Sequence, residues 1–76
     1  MEDFRKFLGK SVLLTTNKGS KYAGVLNGVR EKCGKLHLTE LAILTKYGKY
    51  KAQSLHENGR WFNFTLIRLI EEEKEG

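Results

Sequence analysis

Apolar residues in this chain recur mostly at period two and only once at helical spacing. Phe4, Phe7 and Leu8 fall at i, i+3 and i+4 behind Asp3, a residue type that caps helix starts, and Gly9 stands where a left-handed stop is needed. The spacing predicts a short α-helix within residues 1–9. From Lys10 the pattern changes, and Val12, Leu13 and Leu14 run into the β-branched pair Thr15 and Thr16, which predicts a strand over 11–17. Asn17-Lys18-Gly19-Ser20 has the chemistry of a tight reversal, and residues 22–29 complete a hairpin. Cys33-Gly34 makes the next turn, after which Leu36 and Leu38 alternate with His37 and Thr39, and Leu41 to Leu44 prolong the strand. Asn58-Gly59 is a strong hairpin dipeptide. Trp61 to Phe64 and Ile67 to Ile70 follow it as two further strands, with a break inferred at Thr65-Leu66. Residues 46–59 read either as one long loop or as a turn at Tyr47-Gly48-Lys49 followed by an extra strand ending at Asn58.

Gly24, Leu26 and Gly28 share a face at strict alternation, so the two glycines mark places where the second strand bends sharply. The same glycine spacing is found in membrane helix pairs, but Lys18, Lys21, Arg30 and Lys32 flank it too closely for lipid. Short, bent strands in a 76-residue chain are too few for a sandwich and suit a small barrel. The expected fold is mostly β, a strongly bent five-stranded SH3-like barrel behind a short helix. It forms a single domain with the helix at 1–9, the barrel at 10–70 and an acidic tail at 71–76.

Charge adds a partner class. The formal net charge is +5, but residues 4–70 carry 13 bases against the three acids Glu31, Glu40 and Glu57, while the remaining acids sit at the ends. A body this basic attracts polyanions, of which nucleic acid is the commonest; a solvated lysine-rich surface is the plain alternative. Abundant Lys and Glu without proline also suit a thermophile. A single cysteine, Cys33, excludes a disulfide framework and points to a reducing compartment, so a cytoplasmic location is expected. No apolar run is long enough for a membrane helix, and Met1-Glu2-Asp3 opens with acid instead of a basic, apolar leader. Asp3 is the only aspartate, and no nucleophile triad, phosphate-binding glycine loop or multi-ligand metal spacing occurs; Cys33, His37 and His56 would have to converge to hold an ion. A non-enzymatic protein without metal or cofactor is expected.

Phe7-Leu8-Gly9-Lys10-Ser11-Val12, then Gly19, then Tyr22-x-Gly24-x-Leu26 and a leucine-rich third strand resemble the Sm and Sm-like proteins over most of the chain. That resemblance implies a barrel whose fourth strand pairs with the fifth of the next subunit, closing a homo-oligomeric ring of six or seven copies that binds single-stranded RNA. The ring-forming edges would involve Arg60, Trp61, Phe62 and Phe64 on one side and Leu66, Ile67, Leu69 and Ile70 on the other. The family's base pocket uses an Asp-x-x-Met-Asn segment and an Arg-Gly pair. Here Arg30, Cys33 and Gly34 stand near the first, and Asn63, Phe64 or Thr65 near the second. Without the carboxamide and guanidinium that read a base edge, uridine discrimination is not expected.

Two nucleic-acid candidates remain. Lys46-Tyr47-Gly48-Lys49-Tyr50-Lys51 interleaves cations with aromatic rings, the combination single strands need for phosphate neutralisation and base stacking. Its plain reading is an exposed loop with solvated lysines. Arg30, Lys32 and Lys35 cluster at the turn that the family places nearest the pore, with Asn63 as a further candidate; the plain reading is a solvated turn with Glu31 as counter-ion. Adjacent Trp61 and Phe62 must face opposite sides of a strand, so one of them needs a partner beyond the core, either a neighbouring subunit or a base. The expected function is therefore an RNA-binding ring of weak base specificity. The alternatives are a protein-docking barrel that has lost nucleotide binding and a monomeric SH3-like module of the ribosomal or chromatin type.

Overall fold

A computed structural model describes residues 3–46, 48–51 and 58–73 of the chain. The Asp3 carboxylate accepts from the Arg5 backbone N–H at 3.0 Å and opens a 3-10 helix, Phe4–Phe7. The expected α-helix is this single tight turn. Gly9 takes φ 79 and donates its N–H to the Leu26 carbonyl at 2.9 Å, so the chain joins the sheet before a second turn can form.

Six strands follow: β1 (Ser11–Thr16), β2 (Lys21–Arg30), β3 (Lys35–Thr45), β4 (Gly48–Lys51), β5 (Arg60–Asn63) and β6 (Ile67–Glu72), with a 3-10 turn, Phe64–Leu66, between the last two. All pairings are antiparallel, in the order β4-β3-β2-β1-β6, and β5 pairs with β3. β4 and β5 lie in tandem on the same edge of β3: β4 pairs with Ala42 to Thr45, and β5 with Lys35 to Leu38. The five-stranded plan thus holds, with its fourth strand in two pieces. Asn58-Gly59 accordingly does not close a hairpin, because β4 and β5 run in the same direction. Gly59 has φ 85, and a Cβ there would fall on the Leu38 carbonyl oxygen and within 2.9 Å of His37 Nε2. The glycine serves a close approach of backbone to β3. Of the expected turn at Tyr47-Gly48-Lys49 and extra strand ending at Asn58, the described part is β4 at Gly48–Lys51; residues 52–57 lie outside the described residues.

Two register shifts bend the central pair. Gly24 stands against Glu40 and Leu41, a bulge on β3 in which Glu40 takes φ 51, and a Cβ at Gly24 would come within 2.7 Å of the Thr39 carbonyl oxygen. The second bulge puts Asn27 as an extra residue on β2 between the Leu26–Leu38 and Gly28–His37 pairs. It breaks the expected alternation: Leu26 points into the core, whereas Gly28 lies in the outer row with His37. The resulting sheet is strongly bent but not closed, since β5 and β6 do not pair.

Inside the bend, Phe4, Val12, Leu14, Leu26, Leu36, Leu38, Leu41, Phe62 and Ile70 form one buried cluster, with Phe7, Tyr22, Val29, Phe64 and Ile67 packed against it. Each fully buried Leu or Phe contributes about 1.5–3 kcal/mol of transfer free energy. Phe4 meets Phe64 with ring centroids 4.8 Å apart, so the N-terminal turn covers the core at the break before β6. The acidic end differs from the expected tail: Glu71 and Glu72 belong to β6, paired with Leu13 and Val12, and Glu72 meets Lys10 at 3.5 Å. The β1 edge offers unsatisfied backbone groups at this level, and the pairing fills them.

Candidate nucleic-acid interface

Cross-strand register, not sequence proximity, assembles the site. In the outer face of β2, β3 and β5, Arg30 pairs with Lys35 and Lys35 with Asn63, giving one row of two cations and an amide. One step inward, Gly28 pairs with His37 and His37 with Trp61. Leu36, Leu38 and Phe62 alternate with these residues and take the opposite, buried face.

Trp61 is 42% exposed, and its indole lies across the sheet. The ring centroid is 4.8 Å from that of His37 at an interplanar angle of 37°, and Cη2 reaches to 4.0 Å from where a Cβ on Gly28 would stand. Asn27 Nδ2 lies 3.2 Å from His37 Nδ1, and since an amide nitrogen only donates, Nδ1 accepts and the imidazole orientation is held. The Arg30 guanidinium carbon sits 5.0 Å from the Trp61 ring centroid, within cation–π range. Arg30, Cys33, Lys35 and Trp61 line an open cleft of ≈ 270 Å³.

The expected counter-ion of this cluster is engaged elsewhere. Glu31 Oε2 lies 3.1 Å from Arg5 Nη2, so the N-terminal turn takes that carboxylate away from Arg30, Lys32 and Lys35. Lys32 is exposed in the turn between β2 and β3, beyond the row. That turn is tied to the β5–β6 junction by the Phe64 N–H donating to the Gly34 carbonyl at 2.7 Å, which brings Asn63 beside the cations.

The second candidate segment does not join them. Lys46 follows the far end of β3, and Lys49, Tyr50 and Lys51 belong to β4, paired with Leu44, Ile43 and Ala42. Lys35 and Lys46 are separated by the length of β3, a contour of about 36 Å at ~3.3 Å per residue. Tyr47 lies outside the described residues. Of the proposed ring-edge residues, Phe62 and Ile70 are core side chains, while Trp61, Leu66 and Leu69 are exposed. Arg60 lies inward, 4.9 Å from the Phe62 ring centroid and 5.6 Å from that of Tyr22, and donates to the Tyr22 hydroxyl at 3.4 Å. Sequence reasoning missed His37 and Asn27 as parts of the site. The alternation around His37 signalled an outward ring, but only the β3–β5 register shows that it meets Trp61.

The backbone superposes on archaeal Sm structures. A heptameric archaeal Sm protein matches at TM-score 0.74 with 16% identity, over 92% of this chain and 94% of that one. The P. aerophilum SmAP1 heptamer matches at TM-score 0.74 with 15% identity, over 93% of this chain and 88% of that one. This is the Sm fold. A third structure, a Sm-like archaeal protein from Pyrobaculum aerophilum, matches at TM-score 0.66 with 22% identity, over 93% of this chain and 48% of that longer one. No family model and no curated protein matches the chain. Within this fold, the Arg30 row sits at the β2–β3 turn and the β5–β6 junction. No group of three or more His, Cys, Asp or Glu side chains is placed to hold a metal ion among the described residues.

Proposed function

We propose that this chain is a non-enzymatic, Sm-like RNA-binding protein that assembles into a homo-oligomeric ring and binds single strands with weak base specificity. The observation that carries the reading is the row Arg30–Lys35–Asn63 with Lys32 beside it, while Glu31 in the same turn is paired to Arg5. Cations presented in this way neutralise phosphates regardless of sequence. Two solved proteins of the same fold are heptamers, which supports a ring here. So do the outer edges of β5 and β6, which have no strand partner among the described residues and offer backbone donors and acceptors to a second copy. Repetition around a ring multiplies weak contacts through effective concentration. A cytoplasmic location is part of the same proposal.

The test is native mass spectrometry together with fluorescence anisotropy on labelled oligoribonucleotides at two salt concentrations. A closed homo-oligomer is expected, with affinity falling steeply as salt rises. Arg30→Glu with Lys35→Glu should weaken oligo-A and oligo-U alike, by about tenfold or more, and flatten the salt slope by about two charges per chain engaged. A monomer without RNA affinity near physiological salt would refute the reading and favour the docking-module alternative.

A further inference from the structure

We infer that Trp61, backed by His37 and Gly28 and flanked by Arg30, is a stacking site for one unpaired nucleobase per chain, and that it takes purines in preference to pyrimidines. The inference rests on the RNA-binding reading and adds to it a base-contacting ring on β5, Trp61, which borders the turn that carries Arg30 and Cys33.

Four features of the outer face support it. The indole is exposed on the face of β5 opposite the buried Phe62, so its area is not required by the core. Its orientation is supported: His37 packs against it with centroids 4.8 Å apart and a 37° tilt, Asn27 holds the imidazole, and Gly59 leaves space beside His37. A ring pre-oriented in this way loses little conformational freedom on stacking. The adjoining cleft is lined by two cations, Arg30 and Lys35, and no acid among the described residues, which places positive charge where the phosphates of a stacked nucleotide would run. Arg30 itself is already in cation–π range of the indole and can cover a base that stacks there.

The chemistry also sets the order of preference. Stacking accepts any base because each has a π-face, so discrimination comes only from overlap area, which is larger for a purine. A base inside a duplex has both faces occupied and presents none to Trp61.

Trp61 is the only tryptophan, so its fluorescence reports the site directly. Titrating the full chain with oligo-A, oligo-U and a blunt RNA duplex should give saturable quenching by both single strands, stronger and at lower concentration for oligo-A, and none by the duplex. In a parallel anisotropy assay with labelled oligo-A, Trp61→Leu should weaken binding about tenfold while leaving the salt slope unchanged, and Trp61→Tyr should restore most of it. Circular dichroism confirms that both variants fold. If labelled RNA binds but Trp61 fluorescence does not respond and Trp61→Leu binds normally, the stacking site is wrong and the electrostatic reading survives. Equal or stronger quenching by oligo-U overturns the purine preference. If no RNA binds in either assay, both readings fail together.

Discussion

β5 contributes to an arginine–aromatic stack on each of its faces, and the two differ in every respect except chemistry. On the inner face Arg60 lies 4.9 Å from Phe62 and 5.6 Å from Tyr22, with a hydrogen bond to the Tyr22 hydroxyl and rings 5.2 Å apart beneath it. On the outer face Arg30 approaches Trp61 from a different strand, with no hydrogen bond to the indole side and an open cleft beside it. The inner guanidinium is committed to packing: it lies against the Phe62 and Tyr22 rings and donates to the Tyr22 hydroxyl. The outer one retains its donors for a ligand. Similar arginine–aromatic contacts thus serve cohesion where the strand faces the core and, in the proposed function, recognition where it faces solvent.

Four substitutions break or sharpen this contrast. Phe62→Ala removes the inner ring, which is 2% exposed, and should cost about 3–5 kcal/mol, a loss comparable with the whole stability of a domain this small. Thermal unfolding followed by circular dichroism should show little cooperative transition at 37 °C, and a normal melt would mean that the inner stack is not structural. Gly59→Ala attacks both stacks at their common hinge, because a Cβ at φ 85 collides with the Leu38 carbonyl and crowds His37. A loss of about 2 kcal/mol is expected, together with a shift in Trp61 emission as β5 moves. The sharpest comparison is also the smallest in energy. Arg60→Ala should destabilise by about 1–2 kcal/mol, lowering the melting temperature by several degrees and sparing RNA affinity per folded chain. Arg30→Ala should change stability by less than about 0.5 kcal/mol and weaken RNA binding several-fold. Equal melting temperatures for these two variants would erase the distinction between the faces.

Much of the fold was legible from local signals. Asp3, Gly9, the Asn17–Ser20 turn and the Cys33-Gly34 turn each have a chemistry that acts within a few residues, and each stands where the chain turns. Alternation placed Leu36 and Leu38 inside and His37 outside. It failed at Gly28, where the Asn27 bulge shifts the phase, and at Asn58-Gly59, where a hairpin dipeptide is used for close backbone approach. Glu71 and Glu72 read as a solvated tail because their charge says nothing about the vacant edge of β1 that holds them.

Composition and patterning alone established a small bent β domain with a basic body and acidic ends, because charge and period are properties of the residues themselves. The pairing of His37 with Trp61, the row Arg30–Lys35–Asn63, the diversion of Glu31 to Arg5 and the tandem placing of β4 and β5 were decided only in three dimensions. Each depends on strand register between segments that are remote in the chain, and a bulge of one residue exchanges the two faces of a strand.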